Sequence, residues 1–415
     1  MNKKGFLSTA TLYSFFLVFC LLLVLIMSTY INNRINYKML KSDSKKQALT
    51  NSKLKVRYNS AENPDIIDGQ EPVTPDNPSP SPEPGNPDTP VFSIEGYKTI
   101  LINNGGGNTT YDSAINYIKG KSTPTFSKVA TTNEGMFVAN DNQGTSYYFR
   151  GAVDNNWVKY GKNSSNKDMY WRIIRINGDN SIRMIYSGTT APTSTTKTTL
   201  TGNGTSIGKS AYNASTTGAE YVGYMYQANY QRGNATDSTI KSNVDSWFDG
   251  TSLKNDSNVV DNIFCNDRNT TNATWKSRPT STMYFNAYNR NDNSSPSLKC
   301  ENNQDSFTTS TSIGNGKLTY PVGLITIDEV IFAGGKSITS NANYYLYTGI
   351  SYYTMSPNFV KRGPKPYVFV VNNQGKFSNS LVSTSNYYIR PVINLSSNVI
   401  FSGSGTYNDM YEVVK

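Results

Sequence analysis

The sequence predicts a chain in three parts, ending in one large domain of strands, few short helices and long loops. Three observations predict it. An apolar run with no formal charge lies between Lys4 and Arg34. Eight prolines fall between Pro72 and Pro90. Beyond them the chain is rich in Tyr, Thr, Ser, Asn and Gly, and its apolar residues come in short runs separated by Asn- and Gly-containing turns. The parts are residues 1–34, a cytoplasmic tip and membrane anchor; 35–90, a basic stretch followed by an acidic proline-rich linker; and 91–415, a β-rich extracellular domain.

Phe6 to Ile31 would be roughly 39 Å long as a helix, enough for a hydrocarbon core of about 30 Å. Its centre, Phe15 to Met27, is unbroken apolar residues, which predicts a transmembrane helix. A cleaved signal peptide would end at a small-x-small site, and Leu25-Ile26-Met27-Ser28-Thr29-Tyr30 offers no good one. Bulky Phe19 before Cys20, inside the apolar run, argues against a lipoprotein site. The opening Lys3-Lys4-Gly5-Phe6 resembles a type IV prepilin, which implies a pilin-like subunit as the alternative function. Pilins usually carry glutamate at the fifth position after the cut, and this chain has Ala10 there.

Lys3 and Lys4 precede the run, while Arg34, Lys38, Lys41, Lys45 and Lys46 follow it. Charge alone therefore places the C-terminal domain inside. The spacer and the cysteine pattern oppose this, and the reading adopted is a single-pass cell-membrane protein with its C-terminal domain extracellular. Residues 1–57 carry a net +9, residues 58–97 a net −8 and residues 98–415 a net +9. The basic stretch suits anionic lipid headgroups. The mild charge of the large domain comes with no nucleic-acid-reading motif, so nucleic acid is not an expected partner. The prolines fix φ and remove donors, so the linker is expected to be a disordered, extended spacer of roughly 60 Å. Beyond the apolar run the cysteines are Cys265 and Cys300. In an exported domain two cysteines read as one disulfide, and without histidine they are too few for zinc.

Within the domain, strands are expected over Tyr147 to Arg150, Trp157 to Tyr160, Met169 to Ile176 and Ser181 to Tyr186, the last two joined by Asn177-Gly178-Asp179-Asn180. Tyr367 to Val371 and Lys376 to Leu381 flank a turn at Asn372 to Gly375. Tyr387 to Leu395 and Val399 to Phe401 complete the set. Between Asp237 and Gly250, the apolar residues Ile240, Val244, Trp247 and Phe248 have helical spacing, with Asp237 or Ser238 as cap. Ile327 to Ala333 reads as a second helix, because Thr326 and Glu329 have capping-box spacing. At the domain entry there is no clear helix start. Ser187 to Asp237 reads as long loops bearing Tyr221, Tyr224, Tyr226 and Tyr230, which are the candidate binding residues.

The string Tyr170-Trp171-Arg172-Ile173-Ile174-Arg175-Ile176-Asn177-Gly178 resembles an opening hairpin of an uncharacterised domain family of Gram-positive bacterial surface proteins. Tyr320 to Glu329, Tyr353-Thr354-Met355-Ser356-Pro357 and Arg390-Pro391-Val392-Ile393-Asn394-Leu395 fit it in the same order. The ending is also similar to C-type-lectin-like domains of the formylglycine-generating-enzyme type. That resemblance implies an α+β fold with a twisted antiparallel sheet, two peripheral helices and long loops.

The chain contains no histidine, which excludes Ser-His-Asp and Cys-His catalysis and histidine-held iron or zinc. Cys265 and Cys300 are too far apart to match the close cysteine pair of formylglycine-generating oxygenases. Calcium-lectin motifs are absent, and Gly105-Gly106-Gly107 lacks the Lys-Ser/Thr of a phosphate loop. Asp328-Glu329 is the obvious acid pair for glycoside hydrolysis, but helical neighbours do not face each other and Glu329 has a capping role. The expectation is a non-enzymatic cell-surface binding or adhesion protein without cofactor or metal, whose ligand is a surface glycan or protein.

Overall fold

In the computed structural model, which describes residues 94–106 and 110–414, the alternating strings pair into two main sheets. The first runs through Val322–Leu324, Pro391–Leu395, Ile182–Tyr186, Asp168–Ile176, Trp157–Lys162, Tyr411–Val413 and Phe401–Ser402. Asp168–Ile176 also pairs with Thr145–Gly151, which carries Asn133–Asn140 beyond it. The second runs through Phe377–Leu381, Lys365–Val371, Tyr352–Lys361, Tyr387–Tyr388 and Lys209–Ser210, with Met283–Tyr284 joining Tyr352–Lys361. Pairing is antiparallel apart from Tyr411–Val413 on Trp157–Lys162 and Tyr387–Tyr388 on Tyr352–Lys361.

Asp168–Ile176 lies at the centre of the first sheet, with Trp171, Ile173 and Ile176 wholly buried. The Asn177–Asn180 turn closes as expected. Asn177 N donates to Ser181 O at 2.8 Å, and Asn180 takes a positive φ of 69°. Gly178 is required there for another reason: a Cβ would lie 2.4 Å from Gly144 N and 2.5 Å from an Asp141 carboxylate oxygen. The turn after Asn133–Asn140 is pressed against this hairpin.

The two expected helices form. Thr239–Asp249 begins at Ser238, whose hydroxyl accepts from Lys241 N, and it buries Ile240, Val244 and Phe248. Ile327–Phe332 carries the complete capping box between Thr326 and Glu329. Three further helices were not expected: Gly96–Asn104, Tyr111–Lys119 and Asn286–Asp292. The first has no side-chain cap, whereas Tyr111–Lys119 starts at Thr110, whose side chain accepts from Ser113 N. The expected strand Tyr387 to Leu395 divides in two around fully buried Arg390, and its halves join different sheets. Tyr352–Lys361 passes through Pro357, where its pairing with Lys365–Val371 shifts register. That irregularity accommodates a residue with no amide proton.

The expected fold class therefore needs correcting. The described residues are mostly β with few helices, and among them no helix is long and apolar enough to cross a membrane. The segment 6–31, on which a transmembrane helix was expected, lies outside the described residues, as does the linker 35–90.

Candidate ligand-binding loop

Two groups of side chains are candidates: the carboxylates near Asp328-Glu329 and the tyrosine-bearing loops. The carboxylates are committed to arginines. Glu329 Oε1 lies 2.6 Å from Arg183 Nε and 3.1 Å from Arg175 Nε. Its Oε2 accepts from Thr326 N at 2.9 Å. Arg175 also donates to Asp141 at 2.7 Å. Asp328 takes two bonds from Arg290, at 2.8 and 2.9 Å, and Arg290 reaches Asp267 at 2.7 Å. Burial pushes the Glu329 carboxyl up, but the guanidiniums of Arg183 and Arg175 hold it below its ordinary value. For Asp267 burial prevails over Arg290, and its carboxyl lies above the ordinary range. The cavity they line is about 30 Å³, room for a water molecule or two. Asp328 and Glu329 thus turn toward different arginines, and no sugar ring fits between them.

Cys265 and Cys300 are bonded, with Cα atoms 5.6 Å apart. The bond joins strand Phe264–Cys265 to a segment held by Asn142, whose amide donates to Cys300 O at 2.9 Å and whose carbonyl accepts from Cys300 N at 2.7 Å. The closed loop contains Asp267, Arg268 and Arg290, so the bond ties both arginine–carboxylate systems to the sheet. Among the described residues no group of three or more Cys, Asp or Glu side chains is placed to hold a metal ion.

The four candidate tyrosines separate. Tyr224 is wholly buried and packs edge-on to Phe307, with ring centroids 5.9 Å apart. Burial pushes its hydroxyl well above its ordinary value. Tyr224 is therefore a core residue and not a ligand contact, which corrects its expected place in the site. Tyr221 and Tyr226 are half-buried against each other at 4.8 Å. Tyr230 is 58% exposed. It stands in the loop 227–235 between the paired strands Met225–Tyr226 and Thr236–Asp237.

That loop is pinned from below. Arg268 is fully buried, and its Nε donates to Asp305 at 2.6 Å. Its other nitrogens donate to Met225 O at 2.9 Å, Gly233 O at 3.3 Å, Asn234 Oδ1 at 2.8 Å and Gln304 O at 3.1 Å. Arg232 donates to Asp305 at 3.1 Å and also to Asn269. Gln231 donates to Arg268 O at 2.6 Å, and Asn234 to Gln304 O at 2.9 Å. A Cβ on Gly233 would sit 2.2 Å from Gln227 Cβ, so only glycine permits this closure. Asp305 itself is set by a 3-10 turn whose Asn302 side chain accepts from Gln304 N.

The result is an open groove of about 460 Å³ lined by Tyr230, Gln227, Gln231, Gln304, Arg232 and Lys317, among others. The side chains of Gln227, Gln304 and Lys317 form no hydrogen bond or ion pair among the described residues. An exposed aromatic ring beside free amides matches the mixed apolar and hydroxylated faces of a sugar, or a polar peptide. Sequence reading proposes Tyr230 from its neighbours in the chain. It missed Arg268, Asp305, Gly233, Gln304 and Lys317, which lie up to 87 positions away. No local pattern linked them. No protein-family model, curated protein or solved structure matches this chain.

Proposed function

We propose that this chain is a non-enzymatic binding or adhesion module acting at the bacterial cell surface, with the loop 227–235 as its contact and Tyr230 as the ring on which a glycan or protein ligand rests. The observation that carries this is the pinned loop. Buried Arg268 holds Gly233 O and the Asn234 side chain of the loop, and the loop's Arg232 and Gln231 reach Asp305 and Arg268 O, so the groove needs little ordering when a ligand arrives. The bonded cysteines favour an oxidising compartment, in keeping with a domain outside the cell. The likeness of the chain's strings to surface and lectin-like domains points the same way.

The test is binding of the purified full chain to glycan and protein arrays, followed by Tyr230→Ala and Gln227→Ala. Each should weaken binding by about tenfold or more while leaving the melting temperature unchanged. Unaltered affinity in both would remove this loop from the site. Turnover of an array hit would overturn the non-enzymatic reading.

A further inference from the structure

The second sheet carries an aromatic row on the side away from the core. Tyr284 pairs with Phe359, and Phe359 with Tyr367, across three adjacent strands. Their neighbours Met283, Phe285, Val360 and Val368 are buried in the main core, so alternation turns the three rings outward. Phe359 is 9% exposed, yet it packs with neither the main core nor the small one. Its cover is the flanking rings. Tyr284 lies 6.0 Å and Tyr367 4.6 Å from it, and Tyr288, which also packs on the main core, lies 4.2 Å from Tyr284.

Cations stand beside this row. Lys361 and Lys365 face each other directly across the hairpin, on the same face as Phe359 and Tyr367. Like charges in that relation repel. Lys361 Nζ lies 5.7 Å from the Phe359 ring and 5.3 Å from the Tyr367 ring. Lys361, Lys365 and the adjacent exposed Arg362 make no ion pair among the described residues. The strip thus has half-buried Tyr284 and Tyr367 on either side of Phe359 and uncompensated positive charge beside the Phe359–Tyr367 pair.

We propose that this row is a docking surface for an anionic polysaccharide, with sugar rings on Tyr284 and Tyr367, which flank buried Phe359, and a carboxylate or phosphate between Lys361 and Lys365. Flat rings take the C–H faces of sugars, and the lysine pair supplies the charge that a neutral glycan would leave unused. The surface is separate from the 227–235 loop and does not depend on the reading given to it.

The test is affinity electrophoresis of the full chain through gels containing polygalacturonate or uncharged dextran. Polygalacturonate should retard the chain and dextran should not. Tyr284→Ala with Tyr367→Ala, and separately Lys361→Gln with Lys365→Gln, should each weaken retardation about fivefold or more. Lys119→Gln with Lys167→Gln, an equal charge change on exposed lysines elsewhere, should change it by less than about twofold. Tyr284→Leu with Tyr367→Leu keeps apolar volume without flat rings and should lose retardation even where the alanine pair disturbs folding. Tyr230→Ala should leave retardation unchanged, which separates this surface from the loop. Equal effects of the two lysine pairs, or full retardation of the leucine pair, would reduce the interaction to net charge and overturn the proposal. So would capture by phosphatidylglycerol vesicles without retardation by polygalacturonate.

Discussion

The cluster around Glu329 and the cluster around Asp305 use the same two groups, a guanidinium and a buried carboxylate, and surround different kinds of space. Around Glu329, Arg175 and Arg183 come from adjacent strands and meet side chains from a turn and a helix. Their donors are used inside, and the cavity left is about 30 Å³. Around Asp305, Arg268 donates to Gly233 O and Asn234 Oδ1 of the loop and to the carbonyls of Met225 and Gln304 beside it, and the groove next to it is about 460 Å³ and open. Charge pairing among side chains seals an interior. Charge pairing that extends to a loop and its flanks fixes the loop, here with Gln227 and Tyr230 lining the open groove. The second cluster is the one with room beside it for the ligand proposed above.

The largest test of this contrast is Glu329→Gln. It leaves Arg175 and Arg183 without their shared counter-charge, and removing one member of a buried pair costs about 3–5 kcal/mol. The melting temperature should fall by roughly 10 °C, with glycan binding by the folded protein retained. The pH dependence follows from the depressed Glu329 carboxyl. Its contribution is fully present above the ordinary value of 4.5 and is lost as pH falls through the lower folded value. Asp267, raised by burial, works in the opposite sense, its contribution being lost as pH rises through its folded value. Glu329→Gln should therefore flatten the acid limb of a plot of melting temperature against pH. An unchanged acid limb would place the acid sensitivity elsewhere.

Reduction of the disulfide comes next. Cys265 and Cys300 close a loop with a sequence separation of 35 residues, worth about 3–4 kcal/mol on the chain-entropy account. Because that loop contributes to both clusters, Cys265→Ser with Cys300→Ser should lower the melting temperature and also weaken ligand binding. Hydrogen exchange should quicken first in residues 265–300. Weaker stability with wholly unchanged affinity would show that the groove does not depend on this loop.

Gly233→Ala should act on the groove alone. The added Cβ cannot stay 2.2 Å from Gln227 Cβ, so the loop must move, while the buried Arg268–Asp305 pair can remain. Ligand affinity should drop about tenfold with a stability change near 1 kcal/mol. Calorimetry and a binding isotherm on the same variant decide it. A large loss of stability at unchanged affinity would reverse the roles given to loop and pair.

Much of the sheet architecture was legible because strand alternation and Asn-Gly turns are local signals. Met169 to Ile176 and its turn needed nothing from outside the segment. The helix Tyr111–Lys119 also carries local signals, Thr110 as cap and Gly120 as stop. Gly96–Asn104 does not, since it lacks a cap and a marked apolar face. The candidate site was half-legible. Exposed tyrosines mark a loop, but which of them reach solvent depends on tertiary placement. Tyr224 and Tyr226 are two positions apart, and one is core while the other is half-buried. The pinning pair Arg268 and Asp305 is joined only by folding.

The smallest expected effect returns to Tyr224, the residue that divides the tyrosine loop into core and surface. Its ring fills space beside Phe307, and its hydroxyl meets no hydrogen-bond partner among the described residues. Removing a buried hydroxyl without a partner is nearly neutral or slightly stabilising, whereas removing the ring leaves a cavity. Tyr224→Phe should therefore change stability by less than about 1 kcal/mol and leave binding unaltered. Tyr224→Ala should cost about 3–5 kcal/mol. Urea unfolding of the two variants beside the parent checks the contrast. If Tyr224→Phe abolished binding at unchanged stability, the hydroxyl would belong to the ligand site after all, and the boundary between core and groove would have to move inward by one strand.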